Sequence, residues 1–149
     1  MELEKTVQML SNKDAKQAYQ ALLELEKRSE DSNEAYAFMD IYIKLMDADN
    51  SYERTRGIRL LAANAKWDVN RKIEPIISQL LSHIEDEKPI TSRACIKVLP
   101  LIAKVKPHLI DGMIQALESY HTIYDSSMQK LISQDRKQAI RILRQYKTE

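Results

Sequence analysis

The sequence predicts an all-α protein made of stacked helix pairs, and three observations support that class. First, the chain of 149 residues contains only two glycines and four prolines, while helix formers such as Ala, Leu, Glu and Lys are abundant. Second, apolar residues recur at intervals of three and four positions, which is the spacing of one face of an α-helix. Third, short polar clusters divide the chain into segments of about 13–17 residues, a normal helix length.

The polar clusters set the order of the helices. They fall at residues 11–14, 29–33, 47–51, 67–70, 85–89, 106–107 and 119–125. The predicted helices cover residues 2–10, 13–28, 34–47, 51–66, 71–84, 90–105, 107–119 and 126–147. Each has an apolar face at helical spacing, for example Leu22 with Leu25 in the second helix and Ile58 with Leu61 in the fourth. The six central helices form three pairs in chain order, and the first and last helices are predicted to cap the stack.

Three of the four prolines lie where predicted helices begin. Pro75 and Pro107 suit a first turn, where the missing N–H costs no hydrogen bond, and Pro89 stands just before the helix at 90–105. Pro100 falls inside that helix. It predicts a kink, because proline removes one backbone hydrogen bond and clashes with the preceding turn.

The helix pairs repeat with a period that two helices and two turns fill. Asp49 and Arg56 recur 37 positions later as Asp86 and Arg93. At the same offset the apolar residues of the two helices correspond, Ile58, Leu61 and Ala65 matching Cys95, Val98 and Ile102. The second helices of the pairs agree less strictly, so the repeat is degenerate.

This period, the Asp–Arg spacing and a proline inside a first helix together resemble the HEAT repeat and related armadillo-like solenoids. The resemblance implies a short right-handed α-α superhelix of about three helical hairpins with N- and C-terminal capping helices, in a single domain over residues 1–149. The stretches AANAKWD at 62–68 and DEKPITSR at 86–93 are similar to short bacterial HEAT-like proteins, some of which carry a SufBD label. A lone cysteine supplies at most one ligand to an iron–sulfur cluster, so that chemistry is not expected here. Such solenoids usually present a curved surface to another protein and sometimes to nucleic acid.

Composition and charge exclude several classes of protein. The single cysteine cannot form an internal disulfide and no secretory apolar stretch opens the chain, so we expect a cytoplasmic protein. The longest apolar run, Val98–Ala103, falls far short of the roughly 20 residues of a membrane span, so no membrane partner is expected. Net charge is +1, yet residues 1–53 carry −6, residues 54–125 carry +3 and residues 126–149 carry +4. Such asymmetry can orient a charged partner.

Six residues are candidates for a binding surface. They are Asn64, Lys66, Trp67, Asp68, Lys88 and Arg93. The first four form a distinctive polar and aromatic cluster in which an exposed Trp would anchor a partner. The last two extend a basic strip that would contact phosphate or an acidic partner. A structural alternative is that Trp67 fills a gap between helix pairs while Asp68 caps the following helix.

The repeated charges Asp49, Arg56, Asp86 and Arg93 also have two interpretations. They would form either a ligand-binding row or a structural ladder that pairs charges between adjacent repeats and satisfies turn amides. We favour the ladder, because pairing between stacked repeats is the simpler explanation of these charges. Removing one member of a partly buried pair leaves an uncompensated charge, so such residues are important for the fold even without a role in function.

No pattern typical of catalysis or metal binding stands out. The three histidines lie on different segments, and Cys95 falls on an apolar helix face. Residues 47–57 suggest a calcium loop but lack Gly at the sixth position, and the twelfth position is not Glu. Phosphate-loop, dinucleotide and nucleophile-elbow motifs are absent, so we expect no cofactor, no metal and no enzyme activity. The isolated glycines Gly57 and Gly112 predict close helix packing.

The expected function is a non-enzymatic protein–protein interaction or scaffold module. The second helices of the pairs, at 34–47, 71–84 and 107–119, would line a shallow concave surface. The alternative is nucleic-acid binding, or base repair of the kind that HEAT-like DNA glycosylases perform, with Trp67 stacking on a base and Asp68 as the catalytic acid. A homodimer is also open, because three repeats leave apolar end faces.

Overall fold

The computed structural model of the chain describes residues 2–119 and 124–149. These residues are arranged in helices, turns and loops without any β-strand, as predicted for an all-α protein. The chain divides into two compact units, Met1–Glu74 and Pro75–Glu149. No helix within the described residues is both long and apolar enough to span a bilayer. The predicted break at 119–125 lies partly outside the described residues.

The first unit contains four α-helices joined by 3₁₀ turns. The helices are α1 (Leu3–Gln8), α2 (Ala15–Asp31), α3 (Met39–Met46) and α4 (Ser51–Ala63), and the turns are Met9–Ser11, Glu34–Phe38 and Ala65–Trp67. The helices predicted at 2–10, 13–28 and 51–66 are confirmed, with α2 extending three residues further. The helix predicted at 34–47 begins as a 3₁₀ turn and becomes α-helical only at Met39.

The second unit repeats this combination of helices and short turns. Its helices are α5 (Ile77–Ser82), α6 (Pro89–Val105), α7 (Ile110–Glu118) and α8 (Ser126–Lys147), and 3₁₀ turns cover Glu74–Ile76, His83–Glu85 and Pro107–Leu109. Pro89 is the first residue of α6, and Pro75 and Pro107 lie in 3₁₀ turns that lead into α5 and α7. Pro100 is buried inside α6, which runs on to Val105, so the predicted kink does not end the helix.

Polar residues in the predicted breaks start three of the helices. The Asp14 carboxylate accepts hydrogen bonds from the backbone N–H groups of the first turn of α2, and Asn50 does the same for α4. Asp125 accepts the N–H of Met128 at the start of α8. The first N–H groups of a helix have no hydrogen-bond acceptor within it. These side chains supply an acceptor and so stabilise the start of each helix.

In the first unit α4 packs against both α3 and α2. The Arg59 guanidinium donates to both carboxylate oxygens of Glu26 at 2.9 and 2.7 Å, and further along the chain Trp67 reaches the carbonyl of Ser29. Moving towards the C-terminus of α2 therefore brings contacts with residues further towards, and just beyond, the C-terminus of α4. The two helices run in the same direction. α3 connects them, and its Tyr42 is fully buried with its hydroxyl donating to the Ala35 carbonyl at 2.9 Å.

In the second unit α8 packs against α6 and α7. Arg136 of α8 donates to the Leu117 carbonyl at the end of α7, and Lys147 at the other end of α8 meets Asp111 near the start of α7. α7 and α8 are thus antiparallel. The buried apolar residues of this unit include Leu80, Ile84, Cys95, Leu99, Ile102, Met113, Leu117, Ile132 and Leu143.

The two glycines of the chain have opposite surroundings. A Cβ on Gly57 would lie 2.6 Å from the Tyr42 carbonyl oxygen and 2.7 Å from the Met46 nitrogen, so α3 and α4 touch through their backbones. A Cβ on Gly112 would have no atom within 4 Å. The predicted close packing is therefore confirmed at Gly57 and wrong at Gly112.

We expect Gly57→Ala to lower the free energy of unfolding by about 1–3 kcal/mol, because the backbone of α3 cannot yield to a methyl group as a side chain would. Gly112→Ala is the matched control, and it should raise stability by about 0.5–1 kcal/mol, because glycine is entropically costly inside a helix. Urea unfolding followed by far-UV circular dichroism measures both, and Trp67 fluorescence adds a probe within the first unit. Equal effects of the two variants would contradict the close approach at Gly57.

Candidate functional site

A buried carboxylate, that of Asp68, organises the loop that follows α4. Its Oδ1 accepts hydrogen bonds from the Tyr36 hydroxyl at 2.5 Å and the Lys72 N–H at 2.8 Å, and its Oδ2 accepts from the Ile73 N–H at 3.0 Å. Arg71, inside the same loop, has a φ of 53°, which non-glycine residues rarely adopt. The hydrogen bonds of Asp68 therefore stabilise a non-helical loop between α4 and the next helix.

The same hydrogen bonds correct the predicted start of the helix at 71–84. Residues 71–73 are not helical, and the first helical turn begins only at Glu74. Sequence periodicity includes these residues in a helix because Ile73 has the apolar spacing of its successors, and Ile73 is indeed fully buried. Its backbone N–H is used by Asp68 rather than by a helix.

Trp67 and Lys66 tie the end of α4 to the end of α2. The Trp67 indole Nε1 donates to the Ser29 carbonyl at 2.7 Å, and Lys66 Nζ donates to the Glu30 carbonyl at 2.5 Å. The Lys66 ammonium also lies 5.4 Å from the centre of the Trp67 ring, within the range of a cation–π interaction. The last carbonyls of a helix have no partner within it, so both side chains satisfy acceptors at the C-terminus of α2.

Asn64 completes this cluster from inside the unit. It is fully buried at the end of α4, and its amide nitrogen donates to the Leu60 carbonyl at 3.0 Å. Its Oδ1 has no hydrogen-bond partner, one of two such buried side-chain atoms among the described residues. Asn64, Lys66, Trp67 and Asp68 therefore each make a hydrogen bond within the unit.

Lys88 and Arg93 lie in the second unit at the beginning of α6. Lys88 is exposed, and its backbone N–H donates to Asp86 Oδ1 at 2.9 Å. Arg93 is half-buried, and its Nε donates to Asp135 of α8 at 2.7 Å. This hydrogen bond raises the pKa of the Arg93 guanidinium above its usual value, against a smaller opposing effect of burial.

The two copies of the Asp–Arg pattern have different contacts. Arg56 is buried and donates to the Leu10 carbonyl at 2.7 Å, whereas Arg93 pairs with a carboxylate. Burial lowers the pKa of Arg56. Asp49 is exposed, while Asp86 is buried and lies 2.7 Å from His83 Nδ1. Residues at corresponding positions of the sequence repeat therefore have different hydrogen-bond partners in the two units.

The described residues hold no group of three or more His, Cys, Asp and Glu side chains arranged to bind a metal ion. Cys95 is fully buried and its thiol lies 3.3 Å from the Leu80 carbonyl. Burial, with the charge of Asp86, raises the pKa of the Cys95 thiol, which keeps it protonated and unreactive.

Three exposed large apolar side chains of the described residues lie on α6, and with the neighbouring cations they form what we call the α6 stripe. Its members are Ile90, Arg93, Lys97, Leu101, Lys104 and Val105. They share one face because they recur at intervals of three, four and seven residues. The exposed fractions of Ile90, Leu101 and Val105 are 51%, 58% and 44%, and Lys97 and Lys104 are also exposed. α6 contains no acidic residue, so this face is apolar and positively charged.

Comparison with protein-family models, with curated proteins and with solved structures finds no match for the chain. Function therefore has to be inferred from the surfaces of the chain itself.

Sequence reasoning missed the α6 stripe because the buried face of the same helix is also apolar. The run from Val98 to Ala103 reads as core, and all of it is buried except Leu101. A helical projection would have separated Ile90 and Leu101 from Cys95 and Ile102, since the two pairs lie roughly a quarter turn or more apart around the helix. The available signal was that α6 contains more apolar residues than one buried helix face holds, so some of them had to be exposed.

We expect Asp68→Ala to lower the free energy of unfolding by about 2–4 kcal/mol, because it leaves the buried donor of Ile73 and the partly buried donors of Tyr36 and Lys72 without their acceptor. The neighbouring Val69→Ala is a matched control, since Val69 is 84% exposed, and its effect should stay within about 0.5 kcal/mol. Urea unfolding followed by circular dichroism makes the comparison. A value for Asp68→Ala close to that of the control would show that the loop does not depend on this carboxylate.

Alkaline pH gives a second test of the Tyr36–Asp68 hydrogen bond. Burial, the bond itself and the charge of Asp68 together raise the pKa of Tyr36 from 10.0 to about 12. A raised folded-state pKa stabilises the fold below the unfolded pKa, and that contribution is lost as pH rises from 10 towards 12. Tyr36→Phe should therefore lose less stability than wild type over this interval in thermal unfolding. Parallel losses would contradict the raised pKa.

Proposed function

We propose that the chain is a non-enzymatic, cytoplasmic protein-binding module of the HEAT-like kind, and that the α6 stripe is its main contact surface. The observation that carries this proposal is the apolar and cationic face of α6, which is exposed along about four turns of helix. Contiguous exposed apolar residues with a polar border are typical of surfaces that bind other proteins.

The helix arrangement within each unit supports the HEAT-like part of the proposal. In the first unit α2 and α4 run in the same direction and α3 connects them. In the second unit α7 and α8 are antiparallel, and α6 packs on α8. Repeated pairs of helices produce this alternation of parallel and antiparallel neighbours. The 37-residue repeat between the two units is the independent support from sequence.

The chemistry of the α6 stripe specifies a partner that is acidic and partly apolar. Leu101, the most exposed of its apolar side chains, stands between Lys97 and Lys104, which lie one turn away on either side. An amphipathic acidic helix would bury its apolar residues on Leu101 and Ile90 while its carboxylates meet the two lysines. Apolar burial would supply most of the affinity, and the charges would set orientation and rate of association.

The residues first considered for binding support this surface only in part. Arg93 belongs to the α6 stripe and Lys88 stands just before α6, and both remain candidates for contact with a carboxylate. Trp67 and Asp68 have their hydrogen-bonding groups occupied within the first unit, so a base-stacking or acid-catalytic role for them gains no support. The α6 stripe itself contains no aromatic side chain, which a single-strand stacking surface requires.

The test is capture of binding partners from cell extract by wild type and by Leu101→Glu, with half of each extract treated with nuclease. Leu101→Glu places a carboxylate in the middle of the stripe and should weaken capture at least tenfold, or about 1.4 kcal/mol. Val69→Glu, which adds the same charge at an isolated exposed position, is the control and should capture as wild type does.

Both variants should unfold at temperatures near that of wild type, because both positions are exposed. Equal capture by wild type and Leu101→Glu would overturn the assignment of the surface to α6. Capture that nuclease abolishes would instead indicate nucleic-acid binding.

A further inference from the structure

Four cations form one row along the exposed side of α8, which we call the α8 basic stripe. Its members are Lys130, Lys137, Arg141 and Arg144, and all four are exposed. They recur at intervals of seven, four and three residues. At that spacing they lie within an arc of roughly 60° around the helix and extend over about 21 Å of its length.

The unit itself neutralises little of this charge. The first three members of the stripe make no ion pair within the described residues. Arg144 pairs with Glu118 at 3.0 Å, but both side chains are more than half exposed, so this pair contributes little to stability and can be exchanged. The one acidic residue of α8, Asp135, lies on the side that faces α6, where it accepts a hydrogen bond from Arg93.

The exposed neighbours of the stripe on α8 are amides and hydroxyls, among them Gln134, Gln138, Gln145 and Thr148. Leu131 is the large apolar side chain that α8 exposes, and it stands one turn before Asp135, hence at the edge next to α6. Protein interfaces derive most of their affinity from buried aromatic and apolar anchors. The stripe has no such anchor, so its chemistry favours a ligand that binds by charge and hydrogen bonds.

The phosphate backbone of nucleic acid is such a ligand. Arg, Lys, Gln and Thr side chains all contact phosphate oxygens, and the release of counterions supplies the affinity. One strand of duplex DNA presents a phosphate about every 3.4 Å, so about six lie within the length of the stripe. The major groove of B-DNA is about 12 Å wide and admits an α-helix, whereas that of an RNA duplex is too narrow. Single strands require aromatic rings for stacking, and α8 exposes none.

We propose that the α8 basic stripe is a second binding surface, which holds the phosphate backbone of double-stranded DNA without sequence preference. Lys137 and Arg141 are its central contacts, and Arg144 exchanges Glu118 for a phosphate. Glu118 also lines a groove of about 530 Å³ between α7 and α8. Its carboxylate repels phosphate there, so the backbone follows α8 and does not enter the groove.

The test is fluorescence anisotropy of the full chain with labelled DNA duplexes of two unrelated sequences, between about 50 and 200 mM salt. Four phosphate contacts predict a slope of about −3.6 for log affinity against log salt concentration, with equal affinity for both sequences. The double variant Lys137→Gln, Arg141→Gln should bind at least tenfold more weakly at about 50 mM salt, and its slope should fall to about −1.8.

The matched control is Lys97→Gln, Lys104→Gln on the α6 stripe, which makes the same change in net charge and should leave DNA affinity within about twofold of wild type. Thermal unfolding checks that both double variants fold, as exposed substitutions should. Three results would overturn the inference: no binding at about 50 mM salt, an unchanged slope for the α8 variant, or an equal loss in the control.

The choice of ligand has its own test with the same anisotropy competition. Tighter binding to poly-glutamate, to phosphatidylserine vesicles or to an RNA duplex of equal length would overturn DNA as the ligand. The inference does not rest on the α6 stripe. Binding of DNA through Arg141 without capture of a protein through Leu101 would leave it standing, and the reverse result would overturn it alone.

Discussion

A carboxylate that is removed from water needs hydrogen-bond donors. Burying even a neutral polar group without them costs roughly 2–7 kcal/mol, depending on the reference state, and an isolated charge costs far more. Asp68 meets that requirement with one side-chain hydroxyl and two backbone N–H groups. The donors come from residues 32 positions before it and four to five positions after it. One side chain therefore fixes the loop after α4, the position of Tyr36 and the late start of the next helix.

The side chains beside Asp68 also make contacts that stabilise the first unit. Trp67 and Lys66 stand beside Asp68, and both reach carbonyls at the C-terminus of α2, 36 to 38 residues earlier. A tryptophan next to a lysine and an aspartate has the composition of a binding site. In this chain the same composition closes a helix end, where unpaired carbonyls need donors.

The helices were predictable because apolar spacing and polar breaks are local properties. Leu22, Leu25, Ile58 and Leu61 all lie in the core, and Asp14 and Asn50, from the predicted breaks, cap α2 and α4. The 3₁₀ turn at Glu34–Phe38 and the loop at Asp68 are joined by the hydrogen bond that Tyr36 donates to Asp68 across 32 residues, which no local pattern specifies. The different surroundings of Gly57 and Gly112 likewise depend on which helix packs alongside, which spacing within one helix cannot reveal.

The exposed surfaces were harder to predict than the core, for a physical reason. A buried helix face requires apolar residues at regular intervals, whereas an exposed position tolerates most residue types. Residue type alone therefore does not distinguish Leu101, which is 58% exposed, from Leu99, which is fully buried. Charge provides the missing information. α6 and α8 are both rich in cations, but on α6 these surround exposed aliphatic side chains, and on α8 they surround a groove partly neutralised by Glu118 and Asp111.

These differences assign the two cationic surfaces different physical behaviour. Binding at the α6 stripe would remove Ile90, Leu101 and Val105 from water, and that contribution persists when salt screens the lysines. The exposed arginine and lysine side chains of α8 would instead make interactions that fall steeply with ionic strength.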